Sequence, residues 1–325
     1  MGSSAQRGSV LVAGSANIDF VVRVPHIAAP GETVLGGDLT VVPGGKGANQ
    51  AVACARAGRA RTGFLAALGE DPYAPMLTAS VAAAGVDLHI VRSDRPTGAA
   101  LITVSDDAEN AIAVAPGANA ALAPEHLPDL AGVAWLLMQL ETPVPTVLAF
   151  ARAARAVGAS VMLNAAPAQP LTTELLAAID VLVVNEEELA AIVGSGGSIA
   201  ERLTATGVPC AVVTLGGRGC CARVADDYLL QPAFPVAPID TTAAGDTFCG
   251  VLAAALAEGQ PMKQALRAAA AAGALATTGA GAQTSIPDRA AVAALLAGHG
   301  DRQADPTALA TYCGLAAPSM TKADA

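Results

Sequence analysis

The stretch "DTTAAGDTFCG", Asp240 to Gly250, sets small residues and one carboxylate, Asp246, at the mouth of an apolar run from Phe248 to Ala257. A helix that begins here presents unpaired N–H groups and the positive end of its dipole, and both attract an anion. Ala243, Ala244 and Gly245 keep bulky side chains out of the way, so backbone amides can approach that anion closely. Asp246, in the first turn, could then take a proton from a hydroxyl poised beside it. An anion hole next to a base is the equipment for moving a phosphoryl group to an alcohol. The plainer role for Asp246 is to cap its helix, and this segment alone leaves both roles open.

Other segments carry similar pairs of readings. In "PGGKGANQAVACARAG", Pro43 to Gly58, the glycines could admit a ligand to the backbone with Asn49 pointing at it, or could simply turn the chain into a core helix. It is not a G-x-x-x-x-G-K-[ST] phosphate loop, because Thr40 stands where glycine is required and Gly47 follows the lysine. "VVNEEELAAI" places Asn185 at a strand end and Glu186, Glu187 and Glu188 in a first helical turn. Acidic residues there suit the helix dipole, and they also suit a magnesium ion beside phosphates. "TLGGRGC", Thr214 to Cys220, reads as a glycine-rich turn between strands. The chain shows no G-x-G-x-x-G after a strand, which argues against a nicotinamide-dependent oxidoreductase. Its six cysteines form no C-x-x-C pair and its four histidines are scattered, so reduced, buried thiols are expected rather than a metal site.

The elements that must position these groups alternate. Short apolar runs, "SVLVAG", "VAWLLMQ", "SVMLN", "VLVVN" and "CAVVTLG", are separated by alanine-rich segments at helical spacing. Such runs suit a mostly parallel sheet covered on both faces, and the alternation predicts a doubly wound α/β fold. One helix runs from about Lys46 to Ala57, and another starts at Asp71-Pro72 and closes at Gly85. Residues 18–43 and about 97–115 look instead like short strands without helices, a small separate sheet that could cover a site. Residues from Gly298 onward are polar and aperiodic and are expected to be a weakly ordered tail. In open α/β sheets ligands bind beyond the strands' carboxyl ends, where this chain places "AGSANID", "LNAAP", "NEEE" and "TLGGRG".

Bulk properties narrow the field. A formal charge of −10 leaves no basic stripe for nucleic acid. The 53% apolar content is largely alanine, and no run reaches the roughly 18 residues that a membrane span needs. Val10 to Ala13 is too short for the core of a signal peptide, so a cytoplasmic protein is expected.

Taken in order, "GSANID", "PGETVLGGDLTVVPGGKGANQAV", "LMQLETP", "LNAAPA", "NEEE", "TLGGRG" and "DTTAAGDTF" resemble the ribokinase (PfkB) family of sugar and nucleoside kinases, from about Val10 to Pro287. The resemblance implies a three-layer α/β/α sandwich over residues 9–297, a β lid from 18–43 and 97–115 and a homodimer formed through the lid; the tail at 298–325 has no counterpart in it. It implies ATP-dependent phosphorylation of D-ribose at O5, with 2-deoxyribose, another sugar or a nucleoside as alternative acceptors, and a non-catalytic sugar sensor as the alternative outside enzymes. Asp246 matches the family's base, and Ala243, Ala244 and Gly245 match its anion hole. Asn17, Asp19, Gly45, Lys46, Asn49 and Glu141 match the residues around the sugar, although Lys46 could lie near phosphates. Asn185, Thr214, Gly216, Gly217, Gly219 and Gly245 match the ATP side, and Glu188 with Asn185 matches a motif that the family associates with magnesium, often through water. Asp240, Thr242, Ala276, Gly279, Gly281 and Ser285 match the site of a monovalent cation, usually potassium. Where some members set an asparagine against adenine, this chain has alanine around Ala270, which points to apolar contact with the base.

Overall fold

The computed structural model describes residues 8–58, 60–107, 109–299 and 306–316. In chain order the first half comprises β1 (Ser9–Ala13), β2 (Asn17–Val24), β3 (Thr40–Gly44), α1 (Lys46–Ala57), β4 (Thr62–Gly69), α2 (Tyr73–Ala83), β5 (Asp87–Ser93), β6 (Gly98–Ser105) and β7 (Asn110–Ala115). Then follow β8 (Val133–Met138), α3 (Val144–Ala156), β9 (Ser160–Asn164), α4 (Thr173–Ala177), β10 (Val181–Val184), α5 (Glu186–Val193), α6 (Ile199–Ala205) and β11 (Cys210–Thr214). The last part holds β12 (Gly219–Val224), β13 (Asp227–Pro232), α7 (Ala244–Ala257), α8 (Met262–Ala276), α9 (Ala282–Ser285), α10 (Arg289–His299) and α11 (Thr307–Cys313).

Successive strand side chains point to opposite faces, and both faces here are apolar. Val10, Val12, Phe64, Leu137, Met162 and Val183 enter one core, under α1, α2, α7, α8 and α10. Leu11, Leu65, Leu136, Leu163 and Val184 enter the other, under α3 to α6 and α11. The result is a three-layer α/β/α sandwich. Its nine strands lie in the order β13-β12-β11-β10-β9-β8-β1-β4-β5. Pairing is parallel from β5 to β11 and antiparallel where β12 and β13 extend the edge. From β1 the chain winds outward to β5, returns to β8 on the other side of β1, and winds away again. The switch point therefore lies between the ends of β1 and β8, the place where such sheets open a crevice.

The alanine-rich helices pack closely on this sheet. A Cβ at Gly250 of α7 would lie 2.4 Å from the Gln50 carbonyl oxygen and 2.8 Å from Ala53 Cβ. Only glycine permits this approach of α1 to α7, and it brings Gln50 toward the first turn of α7.

A second sheet, in the order β3-β2-β6-β7, stands apart from the large one. Its β2 and β6 run parallel and its two outer strands antiparallel. Ile18 and Ala100 are buried, whereas Leu101, on one face, and Ile112 and Val114, on the other, are 57%, 55% and 44% exposed. No helix of the described residues is long and apolar enough to cross a membrane.

The expected weakly ordered tail requires correction. Within it, Thr307–Cys313 forms α11, which buries Leu309, Ala310 and Cys313. Seven residues after a proline are too few to display a helical period, so the stripe is not evident in the sequence. Residues 300–305 and 317–325 of that segment lie outside the described residues.

Candidate active site

Asp246 is 8% exposed in the first turn of α7. Its Oδ2 accepts a hydrogen bond from Asn49 Nδ2 and its Oδ1 one from Gln50 Nε2, each at 3.0 Å. Gln50 Nε2 also donates to Asn164 Oδ1 at 3.0 Å, and Gln139 Nε2 donates to Gln50 Oε1 at 2.6 Å. Two donors on α1, one of them held in turn by residues at the ends of β8 and β9, thus fix the carboxylate in orientation. Immediately before it, Ala243 is held in the left-handed region with φ 57°. A side chain in that region costs about 1–2 kcal/mol, and here the turn begins the helix with Ala244 and Gly245 at its open end. A Cβ at Gly245 would meet nothing within 4 Å, so that end faces open space. The Ala244 N–H donates to the Thr241 carbonyl at 3.3 Å.

At the switch point a carboxylate cluster forms. Glu141, just beyond β8, accepts from Ser15 Oγ at 2.5 Å, from the Lys46 N–H at 3.3 Å and from Asn17 Nδ2 at 3.5 Å. Asn119 donates to Asn17 Oδ1 at 2.7 Å and accepts from the Ala16 N–H at 3.0 Å, which fixes the amide of Asn17. Asp19, on β2, lies against Gly44, where a Cβ would be 2.0 Å from its Oδ2. Gly45 has φ 90°, and a Cβ there would be 2.6 Å from the Asn17 N. The positive φ at Gly45 therefore lets α1 start directly against Ala16 and Asn17.

Burial, followed by the charges of Glu141 and Asp246, pushes the Asp19 carboxyl up to about 7, with Lys46 opposing. Burial works against the Lys46 ammonium, but Asp246, Glu141 and Glu188 outweigh it and raise its pKa. One ammonium thus stands among several carboxylates and carbonyl-type acceptors. Such a pocket suits a ligand rich in O–H donors. The buried Asn49 Oδ1 has no hydrogen-bond partner among the described residues, which leaves another acceptor for such a ligand.

Two cavities meet at the start of α7. The smaller, about 220 Å³, is lined by Lys46, Asn164, Asn185, Glu188, Asp246 and Cys249 among others. The larger, about 490 Å³, is lined by Thr214, Gly216, Gly217, Gly219, Phe248 and Ala270 among others. Thr214, Thr241 and Gly245 border both. Asn185 and Glu188 cap α5 reciprocally: the Glu188 N–H donates to Asn185 Oδ1 at 2.8 Å and the Asn185 N–H to Glu188 Oε2 at 2.7 Å. Burial raises the Glu188 pKa against the pull of the Asn185 N–H and Lys46. Burial also pushes the Cys249 thiol well above its ordinary value, so it stays protonated and is no nucleophile.

Beneath the loop, Asp240 Oδ1 accepts from Thr242 N–H at 2.9 Å and from its hydroxyl at 2.6 Å, and Oδ2 accepts from Gly281 N–H at 2.9 Å. Burial works to raise the Asp240 pKa, but these bonds prevail and hold the carboxyl below its ordinary value. The Asp240 N–H donates to Thr277 O at 3.1 Å, and the Gly279 N–H to Ala276 O at 3.4 Å. A Cβ on Gly279 would lie 3.2 Å from Ser285, whose own hydroxyl donates to Ala282 O at 3.0 Å.

Most residues singled out in the sequence thus fall at the switch point, around the two cavities or beneath the α7 loop, but Glu186 and Glu187 line neither cavity. Sequence reasoning missed Gln50, Gln139, Asn164, Ser15 and Asn119, which hold the others in place. The first four lie inside quoted motifs and Asn119 lies just beyond the 97–115 segment, but none of these amides and hydroxyls stands out from its neighbours by type alone.

A buried carboxylate at an anion-binding helix start, between a polyol-type pocket and a glycine-lined groove, defines a phosphotransferase that takes a hydroxyl as acceptor. Residues 7–289 match the pfkB family carbohydrate kinases. A ribokinase of Haemophilus influenzae is 39% identical over 298 residues, covering 87% of this chain and 96% of that protein. The crystal structure of ribokinase from Thermotoga maritima is 36% identical with a TM-score of 0.82, over 89% of this chain and 99% of that one. Arabidopsis thaliana ribokinase, complexed with ribose and ATP, is 31% identical with a TM-score of 0.81, over 89% and 98%. The chain belongs to the pfkB family of carbohydrate kinases.

Proposed function

We propose that the protein transfers the γ-phosphoryl group of ATP to O5 of D-ribose, giving D-ribose 5-phosphate and ADP. One observation carries this reading: Asp246 stands where the two cavities meet, with hydroxyl-accepting side chains on one side and the glycine-lined groove on the other. Asn17, Asp19, Gly45, Lys46, Asn49 and Glu141 bind the sugar and aim its 5-hydroxyl at Asp246. An Asp246 oxygen takes the hydroxyl proton as O5 attacks in line, while Asn49 and Gln50 keep that carboxylate from turning away. The amides at Ala243, Ala244 and Gly245 receive the oxygens of the transferring group, the Ala244 N–H exchanging its long bond to the Thr241 carbonyl for a phosphoryl oxygen. ATP lies along Asn185, Thr214, Gly216, Gly217 and Gly219, with its base against Ala270 and Phe248. The small sheet acts as a lid that excludes water. The test is the product. Phosphorus–proton correlation should place the phosphate on C5, and coupling to the protons of any other carbon would overturn the assignment.

Two ions complete the reading. Magnesium, when bound, neutralises charge on the ATP phosphates. Glu188, the carboxylate beside Asp246 in the smaller cavity, fits such an ion through water, with phosphate oxygens completing the shell. Potassium, when bound, steadies the α7 loop electrostatically. The all-oxygen donors offered by Asp240, Thr242, Ala276, Gly279, Gly281 and Ser285 fit it, and Asp240 is held ionised. Exchanging potassium for tetramethylammonium is expected to lower kcat roughly tenfold, a transition-state loss of about 1.4 kcal/mol. A rate indifferent to the exchange would remove the cation from the site.

Ile112 and Val114, exposed side by side on one face of the small sheet, fit a second copy of the chain. Sedimentation should give a dimer for the native chain and a monomer for Ile112→Asp; a native monomer would contradict this. A carbohydrate kinase that uses ATP and keeps its six cysteines free and buried fits the cytoplasm.

A further inference from the structure

The match to the family ends at residue 289, yet the described chain continues into α11. This helix rests on the outer layer through Leu309, Ala310 and Cys313, and its left-handed cap at Gly314 abuts Ser198 at the start of α6. Its exposed residue Tyr312 touches two other elements. The Arg218 guanidinium lies over the Tyr312 ring, 4.3 Å from its centroid. The Tyr312 hydroxyl donates to Glu186 Oε1 at 2.7 Å.

Both partners belong to loops that border the cavities. Arg218 stands between Gly217 and Gly219, which line the larger cavity. Glu186 follows Asn185, which lines the smaller one, and its carbonyl accepts from Arg202 Nη2 of α6 at 3.0 Å. Backbone bonds to Leu215 and Ala233 hold Arg218 and Gly219, whereas the Gly216–Gly217 tip of the loop stands open. Gly216 and Gly219 have φ 54° and 108°, and a Cβ on Gly216 or Gly217 would meet nothing within 4 Å. Glycine-rich backbone loses much freedom when a ligand fixes it. A contact that holds the loop from behind removes part of that cost before the ligand arrives.

We propose that Tyr312 is a positioning residue for nucleotide binding: α11 is a strut that ties the glycine loop to the start of α5, so that a nucleoside di- or triphosphate meets a preformed groove. The inference rests on the reading of that groove as the ATP site.

The test is calorimetric titration of ADP, without sugar or turnover, into the full-length native chain, Tyr312→Ala and Tyr312→Phe. Tyr312→Ala should weaken ADP about two- to fivefold, the size an exposed cation–π contact supports. Tyr312→Phe keeps the ring under Arg218 and loses only the bond to Glu186, so it should fall between. KM for ATP should rise in parallel while KM for ribose and the melting temperature stay as in the native chain. Arg218→Ala reaches the same contact from the other side, and combined with Tyr312→Ala it should add no further loss. Native ADP affinity in both Tyr312→Ala and Arg218→Ala would overturn the proposal, as would equal losses for nucleotide and sugar. If the native chain binds ADP and shows these shifts but leaves ribose unphosphorylated, the strut stands and the substrate assignment fails. If the native chain does not bind ADP, both fail.

Discussion

Asp246→Asn is expected to lower kcat about 10²–10⁴-fold, the usual contribution of a positioned base, while ribose binding stays largely intact. The substitution keeps size and shape in a buried turn held by Asn49 and Gln50. The introduced amide can still accept from one of them. Toward the other it offers a donor, and the unpaired Asn49 Oδ1 becomes a partner if that side chain turns over. The pocket therefore keeps its form, and what disappears is the group able to take the hydroxyl proton. Single-turnover kinetics beside calorimetric ribose binding separate the two effects. Activity within tenfold of the native chain would remove Asp246 from the mechanism.

Asp19→Asn should move stability and binding in opposite directions. In the folded chain the Asp19 carboxyl is pushed up to about 7 from an ordinary 3.8, chiefly by burial and then by Glu141 and Asp246. Between those values the folded chain holds a proton that the unfolded chain releases. Stability therefore falls as pH rises through that window and levels off above about 7. The cost reaches the order of 4 kcal/mol at pH 8, and asparagine removes it. Urea midpoints of Asp19→Asn should exceed those of the native chain at pH 8 and converge with them toward pH 4. Ribose affinity should drop roughly 10- to 100-fold, the value of hydrogen bonds to an ionised carboxylate. In the native chain ribose affinity should climb as pH passes upward through about 7, and a flat profile would show that Asp19 does not bind the sugar as a carboxylate. The cluster thus trades stability of the empty protein for acceptors that a polyol can satisfy.

Much of this was legible in the sequence, for identifiable reasons. The five apolar runs named from sequence became β1, β8, β9, β10 and β11, because strands buried on both faces must be apolar throughout. The helix limits at Ala57-Gly58 and Asp71-Pro72 were readable from glycine and proline, and Asp71 Oδ1 does accept from Tyr73 N–H at 3.0 Å. The chemistry of Asp246 was suggested by its place after small residues, although its partners were not. Gln50 reaches Asp246 only because Gly250 lets α1 approach α7, a contact between residues some two hundred positions apart. Likewise the raised pKa of Asp19 arises from three chain segments meeting at the switch point. The helix α11 went unseen for a local reason: its buried stripe of Leu309, Ala310 and Cys313 is shorter than two helical turns.

The most direct test of the central claim is ADP release with ATP, magnesium and potassium across D-ribose, 2-deoxyribose, fructose, adenosine and uridine. The account predicts ribose-dependent release with a kcat/KM well above every other acceptor. Preference for a nucleoside or another sugar, or silence on all five, would contradict it.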